Sequence, residues 1–145
     1  MIVDIAHSSH ETVAEILRIA TRPVVASHGG VQATCKVNRN LTDDEIRGVA
    51  ATGGVVGIGY WDGAVCGTSP AKVADAIAHA RDIGGIDHVG LGSDFDGAVT
   101  TGFDTSKLAA VTQALMDRRF SRDDIAKVMG GNVLRVIRAG IAPRP

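Results

Sequence analysis

Aromatic side chains are scarce in this 145-residue chain, which has three Phe, one Trp and one Tyr. A core must therefore rest on aliphatic residues, and a hydrophobic content of 45% suffices for one globular unit. Basic excess is missing too. Fifteen Lys and Arg against sixteen Asp and Glu leave a net charge of −1, which argues against nucleic acid as a partner. No apolar run approaches the roughly 18 residues of a membrane span. The N-terminus lacks the basic-then-apolar pattern of a signal peptide, and the tail at 141–145 has no stretch to direct a lipid anchor. These features favour a cytoplasmic location. With two cysteines, Cys35 and Cys66, neither in a CxxC pair, the chain is no disulfide scaffold. Several motifs are also missing. Gly90 and Gly92 do not extend to GxGxxG, because position 95 is Phe, and no Walker or GxSxG motif occurs. The run Asp94-Phe95-Asp96-Gly97 brings its glycine two positions too early for a calcium loop and lacks an acid at the twelfth position.

What the chain has in excess is glycine, eighteen in all, many at strand ends where backbone turns tightly or approaches a neighbour. Read in order, Met1 to Ala6 forms a buried strand ending at His7. Ser8 with Glu11 then offers a capping box for a helix running to about Thr21, and Pro23 stops it. Val24 to Ser27 is a second strand, ending at His28. After a loop carrying Cys35, Arg39 and Asn40, Thr42 and Glu45 form another capping box, with Leu41 and Ile46 as its staple. Val55 to Gly59 is the third strand and runs into Tyr60 and Trp61. Ser69-Pro70 opens the next helix, and His88 to Gly92 is the fourth strand, with Asp94 just past its end. Helices from Asp104 or Thr105, from Ser121 and after Gly131 complete the chain. Strands alternating with helices mean βαβ units and a parallel sheet. A closed barrel needs eight such units. This chain has four, and so forms a small open α/β sheet or half of a barrel.

In a barrel, functional groups sit at the C-terminal ends of the strands. Those ends carry His7, His28, Tyr60/Trp61 and Asp94. One histidine alone reads as a satisfied polar residue. Two on adjacent strands with a carboxylate on the same rim form a plausible set of metal ligands. Arg39, in the loop beyond His28, is a natural partner for a substrate carboxylate. His10, His79 and His88 lie within helices or at a strand start and read as structural. A Cys35–Cys66 bridge is sterically plausible, while two free thiols are the default in a reducing cytosol.

These pieces resemble the membrane dipeptidase (renal dipeptidase) family of zinc peptidases. The matching residues are Val3 to Ser9, Val25 to His28, Asn38-Arg39-Asn40 with Asp43-Asp44, Ile86 to Gly97, and Gly130 to Val136. The resemblance implies an α/β fold: four parallel strands alternating with helices, plus extra C-terminal helices. They form the C-terminal half of a TIM-type (β/α)8 metallohydrolase barrel. It implies one partial domain over 1–145 and a dipeptide as substrate. The complete site would hold two zinc ions, with His7 and His28 on one. Asp94 would stand at the other and handle the proton of the attacking water, while Arg39 would engage the substrate's terminal carboxylate. Cys35 and Cys66 match a pair bridged in extracellular animal members. The departures are as informative. The family's HxD pair on its first strand is absent, as is the strand that would supply a bridging glutamate, so only part of the zinc site is present. Gly29-Gly30 stands where many members have small hydroxyl residues. The chain alone is thus expected to bind zinc weakly and to hydrolyse dipeptides negligibly. A half-barrel would leave two open edges and an uncovered apolar face, favouring a homodimer or pairing with a separate first half. A lactonase or another amidohydrolase on the same barrel is the remaining alternative.

Overall fold

The computed structural model describes residues 1–141, so the tail at 142–145 lies outside the described residues. Four strands run parallel in the order β1 (Val3–Asp4), β2 (Val24–Gly29), β3 (Val55–Ile58) and β4 (Val89–Leu91). Sequential parallel strands put all four C-terminal ends on one rim. Between them lie α1 (His10–Ile19), α2 (Asp43–Ala51), a short α3 (Asp62–Val65) and α4 (Pro70–Gly84). After β4 come α5 (Ala109–Asp117), α6 (Arg122–Ala126) and α7 (Asn132–Ile141).

Local signals start most of these helices. Thr42 and Glu45 form the reciprocal capping box, as do Ser121 and Asp124, and Ser69 accepts from the Lys72 amide with Pro70 in the first turn. One cap is displaced by a residue. The N-cap of α1 is Ser9, whose hydroxyl accepts from the Thr12 amide, and the expected Ser8 box does not form. The cause is His7, whose φ of +66° turns the chain out of the strand and delays the helix.

Aliphatic residues from α1, α2 and α4, such as Val13, Ile46, Val49 and Ile77, are buried in one cluster with Val24, Ala26 and Val56 of the sheet. The alternate residues Val25, Ser27, Val55 and Gly57 face the other way. There α7 brings up Val133, Val136 and Ile137, leaving a cleft of about 200 Å³. The face expected to be bare is therefore partly covered. Its anchor is buried Asn132, whose amide donates to the carbonyls of Ile86 and Val89 at 2.7 and 2.8 Å. The edges remain open, and β1 is shorter and more exposed than the buried strand expected over 1–6, with Val3 43% exposed.

The glycine excess finds its reason where backbones meet. A Cβ on Gly57 would lie 2.3 Å from the Ser27 carbonyl oxygen, and one on Gly92 would lie 2.4 Å from the same atom. A larger residue at Gly57 would push β3 away from β2, and one at Gly92 would push the end of β4 off the backbone of both.

Candidate functional site

His28 reaches the rim by a local irregularity. The β2–β3 register pairs Ala26 with Val56 but Gly29 with Ile58, so β2 carries one extra residue at Ser27–His28. Such a bulge re-aims a side chain beside a site. His7 and Asp94 arrive by strained backbone instead, at φ +66° and +58° in the left-handed region. Two of the site's side chains thus sit where non-glycine residues are uncommon, a pattern that clusters at functional sites. Gly97 makes room for the second. A Cβ there would fall 2.0 Å from Asp94 Oδ1.

The four expected residues meet. His7 Nε2 and His28 Nε2 lie 2.9 Å apart, and Arg39 Nη2 lies 3.1 Å from His7 Nε2. Asp94 Oδ1 stands 4.0 Å from His28 Nε2. His7, His28 and Arg39 line one narrow cavity of about 20 Å³, together with His10, Gly29 and Gly30. A Cβ at Gly29 would make only an ordinary contact with Arg39 Nη1 at 3.8 Å, whereas a Cβ at Gly30 would strike the Ala64 carbonyl oxygen at 1.9 Å. The second of these glycines is thus fixed by close approach to α3.

Several residues to which the sequence reading gives no role belong to this neighbourhood. The Arg39 guanidinium lies 5.9 Å from the centre of the Trp61 ring, and Trp61 stands 6.1 Å from His28. Gly59 admits that indole, since a Cβ there would meet Trp61 at 2.0 Å. A glycine two residues before a lone tryptophan is the signal that could have marked it. Tyr60, grouped with Trp61 at the strand end, instead turns into the core, 1% exposed and packed on Phe95 and Phe103. Burial pushes its phenol well above the ordinary value. Cys35 and Cys66 form a disulfide with Cα atoms 5.2 Å apart, so the free-thiol default does not hold. The bridge ties the Arg39 loop to α3.

The remaining histidines bind protein groups. His79 Nε2 pairs with Asp43 at 2.7 Å, and His88 Nδ1 donates to the Gly54 carbonyl at 2.9 Å. His10 Nδ1 meets Glu45 Oε1 at 2.6 Å, joining the starts of α1 and α2. The Glu45 carboxylate holds the His10 pKa above its ordinary value. A raised folded-state pKa means stabilisation that is full below the unfolded value of about 6.5 and is lost as pH rises through the folded one. The wild type should therefore lose its advantage over His10→Ala as pH climbs from 6 to 9, read as the gap between their urea midpoints. A gap that does not narrow would refute this role.

The donor set suits a metal ion in part. Arg39 can only donate, so His7 Nε2 facing it presents a lone pair, and the His28 nitrogen points at the same spot. Two imidazoles and a nearby carboxylate are the ligand types zinc takes. Yet among the described residues no cluster of three or more His, Cys, Asp or Glu could hold a metal by itself. The residues fit as part of a shell.

Comparison with known proteins decides what family this rim belongs to. The model of membrane dipeptidase, peptidase family M19, matches residues 1–142. The chain belongs to that family. Among curated relatives of this M19 chain, the dipeptidase aclJ of Aspergillus oryzae is 40% identical, over 94% of this chain and 34% of its own length. The dipeptidase verJ of Clonostachys rogersoniana is 37% identical over 94% of this chain and 37% of its own. A metallopeptidase from Rhodobacter sphaeroides, solved with a phosphinate mimic of the dipeptide L-Ala-D-Ala, superposes with a TM-score of 0.86 at 26% identity. It shares 94% of this chain and 41% of its own. The chain spans about a third of the length of these curated relatives and under half of that structure. Its four strands and their helices have the fold of about half of a TIM-type barrel. No helix among the described residues is long and apolar enough to cross a membrane.

Proposed function

We propose that this chain carries the second half of a zinc dipeptidase site, as one partial domain. The observation behind this is the convergence of His7 and His28 at 2.9 Å with Arg39 and Asp94 beside them. His7 Nε2 and His28 Nε2 would hold one metal ion, and Asp94 would stand toward a second. When bound, the zinc pair supplies Lewis acidity and a water that ionises near neutral pH. Asp94 Oδ1 takes the proton from the attacking water and returns it to the leaving amine. Arg39, steadied by Trp61, holds the dipeptide's terminal carboxylate by charge-assisted hydrogen bonds. This family's chemistry and Arg39 favour a dipeptide over a lactone as substrate.

Two histidines fall short of the three protein ligands usual in catalytic zinc sites. The 145-residue chain alone is therefore expected to bind zinc weakly and to leave L-Ala-D-Ala essentially intact. Metal analysis and amine release test both points. Stoichiometric zinc with sustained turnover would overturn the half-site reading.

A second reading, that the chain pairs with a copy of itself or with a separate first half, rests on the β1 edge. Met1, Val3 and Ile19 are exposed there around a groove of about 360 Å³. Open edges of this kind pair readily. A clean monomer by size-exclusion chromatography with light scattering would count against it.

A further inference from the structure

Trp61 is the one tryptophan of the chain, and two glycines make room for it. Its benzo ring lies against Gly59, just past β3, and its ring nitrogen lies 3.1 Å from where a Gly63 Cβ would stand. Its backbone is held as well. The Trp61 carbonyl accepts the Ala64 amide at 3.0 Å at the start of α3, and the residue bridges to Thr101 in the loop after Asp94. The indole is thus a wall of set position, and it is only partly buried.

Two distances say what that wall borders. The ring centre lies 6.1 Å from that of His28 and 5.9 Å from the Arg39 guanidinium carbon. His28 and Arg39 in turn approach the same atom, His7 Nε2, at 2.9 and 3.1 Å. In a dipeptide a single tetrahedral carbon separates the scissile amide from the terminal carboxylate. With the amide at the histidines and the carboxylate on Arg39, that carbon falls between two places that the indole borders together. Gly29 and Gly30, which line the same cavity, offer it no side chain. We infer that Trp61 is a specificity-determining residue. Its indole forms one wall of the subsite for the substrate's C-terminal side chain, selecting dipeptides that end in a large apolar residue over those that end in glycine. This rests on the half-site reading for where the amide and the carboxylate lie. An apolar side chain gains by covering ring carbon that is otherwise in contact with water. One wall recovers part of what full burial of a leucine or phenylalanine side chain gives, about 10-fold in affinity.

N-acetylated glycine, alanine, leucine and phenylalanine, the last three in both hands, carry the amide and the terminal carboxylate of a dipeptide. Their Kd values for the 145-residue chain, from ligand-observed NMR titration, should fall about 10-fold from glycine to leucine or phenylalanine in one hand at least. NOEs from the ring protons of the single tryptophan should reach the ligand's side chain and not its acetyl methyl. Trp61→Ala should flatten the series, weakening N-acetylglycine only by the few-fold that a lost guanidinium contact accounts for. Trp61→Phe should restore most of the slope. Equal losses across the series would make Trp61 a support for Arg39 alone and overturn the inference, as would NOEs confined to the acetyl methyl. The wild-type slope and the NOEs need no variant, so they decide even where Trp61→Ala is unstable. A flat wild-type series that Arg39→Gln abolishes would remove the wall and leave the carboxylate site standing. No binding by any member, or binding that survives Arg39→Gln, would remove the carboxylate site and the wall with it.

Discussion

Replacing Cys35 and Cys66 together by alanine should lower the unfolding free energy by about 3–4 kcal/mol. The bridge spans a sequence separation of 31, and closing a loop of that size in the unfolded chain accounts for this amount in the chain-entropy treatment. Cys35 is 1% exposed and sits where residues 31–41 double back, while Cys66 ends the four-residue α3 in left-handed backbone at φ +51°. Without the bridge, α3 is a single turn with no side-chain cap. Urea unfolding followed by the single tryptophan, Trp61, should show a midpoint lower by roughly 2 M. Reductant should shift the wild type by a similar amount and leave the variant unmoved. An unchanged midpoint in the variant would mean that the loop is held by its hydrogen bonds alone.

The rim was legible in the sequence because parallel strands deliver their ends to one side. Once four strand–helix units were read, His7, His28 and Asp94 had to share that side. The helix starts at Thr42, Ser69 and Ser121 were legible for a different reason, since each cap is closed by groups within three residues. What local pattern could not give was anything set by register or by close approach. Ser8 and Ser9 are equally good caps on paper, and the turn at His7 selects the second. Asp4 reads as an interruption in an apolar run until β1 is set beside β2, where its carboxylate meets the Ser27 amide. The bulge that aims His28 leaves no mark in composition. The disulfide was open for a similar reason: spacing allowed it, and only the approach of two loops made it.

Asn40→Ala should cost about 2–4 kcal/mol, close to the loss from the bridge, and for a related reason. Asn40 is fully buried, and its amide nitrogen donates to the carbonyls of Cys35, Gly63 and Ala64 at 2.8, 3.1 and 3.1 Å. Truncation strips donors from three carbonyls at once, and each buried group left unpaired costs about 1–3 kcal/mol before relaxation. Asn40→Asp should be worse than alanine. It would set a carboxylate against three carbonyl oxygens with no cation beside it, a burial that proteins rarely sustain. The amide and the disulfide span the same gap, between the loop that carries Arg39 and the segment 62–66. Their removal should therefore be less than additive, since freeing the loop by one route leaves less for the other to hold. Function should register the same loosening. Arg39 adjoins Asn40 in sequence and lies against Trp61, so Asn40→Ala should raise the quenching of Trp61 fluorescence by iodide as the guanidinium leaves the ring. Additive losses with unaltered quenching would place the amide and the bridge in separate roles, and the Arg39 loop would then owe its position to the cavity floor formed by Gly29 and Gly30.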